Sequence, residues 1–283
     1  MSLAPIRTLL VLAALGSLAA FAGLWWFGGY APDRGRYPVR GLDVSHHQGP
    51  IDWIAVARDD VAFVYVKASE GGNHRDSRFA ENWRGARRAG LAVGAYHYFT
   101  FCRAGRDQAA NFLAAVPSLP DALPPAVDLE FGGNCGARPD GVAMRRELDA
   151  FLAPVEARAG RRAVLYVTPE FLAAYGSVLP RRPMWRRSLL FPPLGRPQWA
   201  LWQYHNRGRV AGVGGPVDLN AFAGDRQVFA RFAGLRPPGR AAAAATDEGW
   251  ATRWRGNAAG PARSRRARRR GRRVPRSRPP RRS

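Results

Sequence analysis

The chain has 283 residues, 46% of them hydrophobic, with 44 basic against 21 acidic side chains and a formal net charge of +23. That apolar content supplies a core for one large domain with tails and excludes a chain disordered throughout. The charge is uneven: sixteen arginines and two acids lie from Arg236 onward, so most of the excess belongs to one terminal segment.

Residues 9–27 carry no charge and come after Arg7, which is the make-up of a signal peptide or a single membrane anchor. Ala20-Phe21-Ala22 offers a small-residue cleavage site. The apolar run continues beyond it through Leu24-Trp25-Trp26-Phe27, and Trp at a membrane interface favours an uncleaved anchor. Residues 1–36 are read as this segment plus a linker. The rest of the chain is expected to be exported, either anchored and facing the periplasm or cell exterior, or secreted if the signal is cleaved.

From Tyr37 apolar and amphipathic stretches alternate. Strands are expected at Val39–Val44, Ala62–Lys67, Leu91–Phe99, Ala126–Leu129 and Ala163–Val167. Helices are expected between them at 52–60, 77–89, 107–116 and 142–159, with Asp52 and Asp107 as candidate caps. Strands alternating with helices of this length imply βα units and a mostly parallel sheet. Residues 168–198 break the rhythm with Pro, Arg and Gly. Two more strands, Trp199–Tyr204 and Pro216–Leu219, come next without clear helices. Because the strands read apolar on both faces, the expected fold class is α/β, a closed TIM-like barrel over residues 37–235 with about five βα units and then strands joined by loops. Residues 236–283, Arg-rich and nearly devoid of aliphatics other than Ala, are expected to be disordered. Such a tail can bind an anionic surface or polymer, or remain solvated without a specific partner.

In such barrels the loops after the strands build the site. Acids are scarce, yet three apolar runs lead to them: Asp43, then Asp128 and Glu130, then Asp218. Lys67, Tyr96, Tyr98, Tyr166 and Gln203 are expected beside them, the tyrosines as flat faces for sugar rings. Gathered carboxylates suit glycoside hydrolysis, in which one acid protonates the leaving oxygen and a second group attacks or supports attack. Two residues apart on a strand, Asp128 and Glu130 have Cβ atoms roughly 6–7 Å apart, a spacing that leaves the stereochemistry open. The charges of Asp43, Asp128 and Asp218 would help Glu130 keep a proton near neutral pH. His46, His47 and His97 show no metal-ligand spacing and are read as hydrogen-bonding or packing groups, and Ser45 as a turn residue. No metal or cofactor is expected. Cys102 and Cys135 each lie just after a strand. If those strands are neighbours, a disulfide fits an oxidising compartment; two free thiols are the alternative.

Taken together, Gly41-Leu42-Asp43-Val44-Ser45-His46-His47-Gln48-Gly49, Phe63–Gly71, Gly94–Phe99, Pro125–Glu130, Leu201–Tyr204 and Val217–Phe222 resemble glycoside hydrolase family 25, the Chalaropsis-type lysozymes (N-acetylmuramidases). The resemblance implies a barrel of five βα units followed by three strands. It also implies cleavage of the β-1,4 bond between N-acetylmuramic acid and N-acetylglucosamine in peptidoglycan glycan strands. A monomer is expected. Glu130 then matches the general acid, Asp128 its partner carboxylate, and Asp43 and Asp218 two further cleft acids. One segment departs from the pattern: Met184-Trp185-Arg186-Arg187-Ser188 stands where the family often shows Trp-Ile-Ala. Trp185 is expected to keep a stacking role, while the arginines have no counterpart. A catalytically silent wall-binding module and a chitinase-like glycosidase are the alternative functions.

Overall fold

The computed structural model describes residues 29–234, apart from 119–120 and 196–197, together with positions 12, 13, 15–18 and 23. Most of the apolar run and the Arg-rich segment lie outside the described residues. Among the described residues no helix is long and apolar enough to cross a membrane.

The strands are β1 (Arg40–Val44), β2 (Phe63–Glu70), β3 (His74–Arg75), β4 (Ala92–Tyr98), β5 (Ala126–Leu129), β6 (Val164–Val167), β7 (Met184–Arg187), β8 (Leu201–Gly208) and β9 (Val217–Phe222). All but β3 form a closed eight-stranded barrel, and β3 is a short hairpin partner of β2. Neighbours pair in parallel from β1 round to β8; β9 runs against both β8 and β1 and closes the ring. Helices α1 (Trp53–Arg58), α2 (Phe79–Arg88), α3 (Gly105–Ala115), α4 (Gly141–Ala159) and α5 (Pro169–Tyr175) follow β1, β2 with its hairpin, β4, β5 and β6, and α6 (Arg226–Ala233) follows β9.

Period-two alternation sorts the strand side chains. Val64, Val66, Val93, Ala95, Val127, Leu129, Leu165 and Val167 join one buried apolar cluster with Val56, Ala86, Phe112, Leu148, Phe151 and Phe171 of the helices. The alternate positions fill the interior with rings. Tyr65 on β2 reaches Trp185 on β7, a strand it does not pair with, at 5.0 Å between centroids. Glycine makes room for this filling: a Cβ on Gly94 would lie 2.4 Å from the Tyr65 ring, and one on Gly41 2.4 Å from the Phe63 ring. Phe229 of α6 plugs the lower end against Phe63 and Phe222, at 5.4 and 5.2 Å.

Among the described residues no helix follows β7 or β8, and the linker before the barrel covers their flank. Tyr30, Tyr37 and Trp199 pack on Trp202, Tyr204 and Ala221, with Tyr37 5.5 Å from Trp202 and 5.9 Å from Trp199. Buried Arg40 fastens this strap by donating to the carbonyls of Tyr37 and Pro32 and to the Tyr204 hydroxyl. The structured region therefore begins before Tyr37.

Two elements lie where residues 168–198 gave no expectation of any. The α5 helix has seven residues, too few to show a helical period, and is signalled only by Thr168, whose side chain accepts from the Phe171 amide, and by Pro169 at the first position. Strand β7 has four residues and ends on two arginines, which hides its apolar face. Asp52 caps α1 as expected, accepting from the Ile54 and Ala55 amides. Asp107 is not a cap, because α3 begins at Gly105. Its place is the first turn, where a negative charge suits the helix dipole.

Tyr37→Ala, which removes the ring between Trp199 and Trp202, is expected to cost roughly 3–5 kcal/mol, as for other large buried aromatics. Urea unfolding followed by tryptophan fluorescence measures it. A loss below about 1 kcal/mol would mean that the strap is not integral to the domain.

Candidate active site

The C-terminal ends of the parallel strands and the beginning of β9 share one mouth. Asp43 and Asp218 face each other in register across β1 and β9. Asp218 does not end a strand, as the sequence suggested: it is the second residue of β9 and reaches the mouth because that strand is reversed. Asp128 stands between Tyr98 on β4 and Tyr166 on β6, and Glu130 lies one residue beyond the end of β5.

Asp43, Lys67, Tyr96, Tyr98, Asp128, Glu130, Tyr166, Trp185, Gln203 and Asp218 all line one cleft of about 350 Å³, together with Ser45, His47, Gln48 and Glu70. Trp185 forms its floor, only 2% exposed, with Tyr65 and Tyr166 each 5.0 Å away. Its ring is thus largely enclosed by protein, and what it offers is the indole N–H.

That N–H begins a chain of orientation. Trp185 Nε1 donates to Asn220 Oδ1 at 2.8 Å, which turns the Asn220 amide nitrogen toward Asp43 Oδ1 at 2.6 Å. On the other side the Tyr166 hydroxyl donates to Gln203 Oε1 at 2.9 Å, and Gln203 Nε2 then donates to Asp43 at 3.3 Å. Asn220 was not among the candidate residues. Its signal is the Asp-x-Asn spacing on β9, which places both side chains on one strand face.

The carboxyl groups do not titrate independently. Burial is the largest influence on Asp43 and raises its pKa to about 6, against the hydrogen bonds from Asn220, Gln203 and Asp218, which favour the charged form. Burial, then the charge of Asp43 and the hydrogen bond to it, push Asp218 up to about 9. The pair is therefore a protonated Asp218 donating to an anionic Asp43 near neutral pH. Asp128 is raised well above the carboxylate range by burial and by the charges of Glu130 and Asp43, with Lys67 opposing. Its Oδ1 is buried without a hydrogen-bond partner. Glu130 is also raised, by burial first; Arg187 and Lys67 oppose this, and Asp43 and Glu170 add to it. Burial thus outweighs the neighbouring charges that the sequence suggested as the cause.

Two cations flank these acids. Lys67 Nζ is bound to Glu70 at 2.7 Å and sits 4.9 Å from the Tyr98 ring centroid. Arg187, at the end of β7, lies 3.8 Å from Glu130 and 3.4 Å from Glu170. The Tyr98 hydroxyl donates to the Gly132 carbonyl, tying β4 to the loop after Glu130. Asn134 joins the same two loops, donating to the carbonyls of Glu130 and Phe99 at 3.0 and 2.8 Å and accepting from the Phe101 amide. Cys102 and Cys135 form a disulfide there, with Cα atoms 6.3 Å apart.

His97 and His46 are held by hydrogen bonds within the fold, while His47 lines the cleft. His97 is fully buried between Ser69 Oγ and Gln108 Oε1, and burial lowers its pKa to about 3. His46 Nδ1 pairs with Asp76 at 2.8 Å. Ser45 caps the 46–48 turn, with Gln48 returning the bond to the Ser45 amide. Among the described residues no group of His, Cys, Asp and Glu is arranged to hold a metal ion.

A barrel whose mouth crowds five carboxyls beside cleft-lining tyrosines is the arrangement of a glycoside hydrolase. The chain belongs to glycosyl hydrolases family 25, whose model matches residues 42–213. It is 35% identical over 201 residues to Lysozyme M1 of Streptomyces globisporus, covering 66% of this chain and 68% of that protein. A family 25 glycosyl hydrolase from Bacillus anthracis superposes with a TM-score of 0.67 at 35% identity, over 71% of this chain and 95% of its own. A bacterial lysozyme from Streptomyces coelicolor gives 0.61 at 34% identity, over 70% and 96%.

A raised carboxyl pKa means that the folded state holds its proton more tightly than the unfolded one, so this group's contribution to stability falls as pH rises from the ordinary carboxylate range to the folded value. For Asp218 that window runs from about pH 4 to about 9. The melting temperature of the wild type is expected to fall between pH 6 and pH 9. In Asp218→Asn the fall should be smaller by on the order of a few degrees. Equal falls in both proteins, by differential scanning calorimetry, would contradict proton sharing at Asp218.

Proposed function

We propose that this enzyme is an exported muramidase that hydrolyses the β-1,4 bond between N-acetylmuramic acid and N-acetylglucosamine in peptidoglycan. The observation that carries the reading is the pairing of Glu130 with Asp128, whose Oδ1 is buried yet unpartnered. A buried acceptor without a donor is costly, and the acetamide N–H of an amino sugar in the cleft would supply one. Accepting it favours the anionic form of Asp128. The charged Asp128 in turn favours the protonated form of Glu130.

In this mechanism Glu130 donates its proton to the glycosidic oxygen as the bond to the anomeric carbon breaks. The acetamide oxygen, turned inward by Asp128, attacks that carbon and forms a cyclic intermediate. Glu130, now a carboxylate, takes a proton from the water that reopens the ring. Asp43 and Asp218 contribute one negative charge near the developing positive charge. Tyr96 would supply a hydroxyl to the sugar, and Tyr98 and Tyr166, whose hydroxyls donate to Gly132 and Gln203, ring edges.

Export rests on the uncharged run 9–27 and on the Cys102–Cys135 bond, which suits an oxidising compartment. Segment 236–283 would add retention on anionic polymer through its arginines.

Glu130→Gln keeps the shape of the acid but has no proton to give, and is expected to lose at least 10³-fold in turnover on purified sacculi; Asp128→Asn should lose 10²–10⁴-fold. Retention of more than a tenth of wild-type activity by Glu130→Gln would remove it from the acid role. Borohydride reduction of digested sacculi should yield muraminitol, and glucosaminitol in its place would assign the other bond. Truncation after Gly234 should leave cleavage of soluble oligomers unchanged while weakening the salt-sensitive part of binding to sacculi. Identical salt dependence with and without the segment would deny it that role.

A further inference from the structure

The two arginines that depart from the family pattern have different surroundings. Arg186 donates to the Leu194 carbonyl in the loop after β7. Arg187, the last residue of β7, pairs in register with Gln203, the residue that holds Asp43. Its side chain is 30% exposed and touches two carboxylates loosely, Glu130 at 3.8 Å and Glu170 at 3.4 Å. Lys67, the cation on the other side, is 11% exposed and closely held by Glu70 at 2.7 Å.

The chemistry of the site takes one of Arg187's partners away. Glu130 can donate a proton only while uncharged, and an uncharged carboxyl offers no ion pair. That leaves Glu170, whose side chain is 63% exposed, in a surface pair of the kind that adds little. Before the bond breaks, while Glu130 still holds its proton, a planar, bidentate cation therefore stands beside the general acid with its charge poorly compensated. Beyond the Lys67–Glu70 pair, the other charged groups gathered at that centre are acids, and they would repel an anionic substrate.

We propose that Arg187 is a specificity-determining residue that binds a carboxylate carried by the sugar chain next to the scissile bond. The proposal rests on the glycosidase reading of the cleft and adds the substrate feature that the cleft selects. Muramic acid bears a lactyl carboxyl and glucosamine none. In peptide-free strands that carboxyl is itself an anion, and in peptide-bearing strands the nearest anions are the carboxylates of the peptide. A guanidinium fork binds either in the same way, and separate substrates distinguish them.

The test compares kcat/KM on peptide-free and peptide-bearing muramyl glycans, each in native form and after carbodiimide amidation of its carboxylates. Wild type should prefer the native form of at least one glycan by on the order of tenfold or more, the worth of one charge-assisted hydrogen bond. Arg187→Ala should lose that preference, mainly through KM on the native glycan. Arg187→Lys should retain part of the preference, and Arg187→Gln serves in place of the alanine variant if the latter fails to fold. Loss of Arg187 also alters proton binding by Glu130, but that acts on native and amidated glycan alike, so the ratio is read at each pH. The glycan whose preference vanishes identifies the source of the carboxylate. A wild type that cuts the glycans without preferring carboxylates, or an alanine variant that slows native and amidated substrate equally, overturns the role of Arg187. A wild type inert on both glycans overturns the muramidase reading itself.

Discussion

Asp43 sits inside the barrel wall, and its charge persists because two amides and a carboxylic acid donate to it. Each amide is itself held from behind, Asn220 by the Trp185 indole and Gln203 by the Tyr166 hydroxyl. An amide can turn over and present its oxygen instead, which would meet Asp43 as a second negative dipole. The donors behind the amides remove that choice. The orientation of the cleft thus depends on a ring of hydrogen bonds that begins at the barrel's aromatic filling and ends at a carboxylate.

This arrangement requires the reversed strand. An all-parallel eighth strand would bring its C-terminal end to the mouth, whereas β9 brings its beginning. Asp218 and Asn220 thereby stand on the same strand face as they descend into the barrel, one bonded to Asp43 and the other supporting it from below. Among the described residues β7 and β8 lack a covering helix, so their outer flank needs another cover. The Tyr30–Arg40 strap meets that need with aromatic rings and one buried arginine.

Much of this was legible in the sequence because parallel strands buried on both faces leave aliphatic runs, and the polar residue that ends such a run marks the mouth. Asp43, Asp128 and Glu130 were found in that way. Asp218 was found by the same pattern with the wrong polarity, since an apolar run looks alike read from either end. The neighbouring positions of Cys102 and Cys135 followed from strand order alone, as β4 and β5 pair directly. What was hidden lies in short elements and in contacts between them. Strand β7 shows four residues with a charged end, α5 shows fewer than two turns, and Asn220 is ordinary until its partners at 43 and 185 are brought beside it. The enclosure of Trp185 was equally invisible, because composition does not reveal which face of a ring is already covered.

The match to the family ends at residue 213, four residues before β9 begins. A fragment cut at that limit would keep four of the five cleft carboxyls but lose the strand that joins β8 to β1. The ring would open into a sheet with two long raw edges, each presenting unpaired amides and carbonyls to solvent. Edges of that kind pair with other chains, so such a fragment would be lost to self-association before its chemistry could be examined.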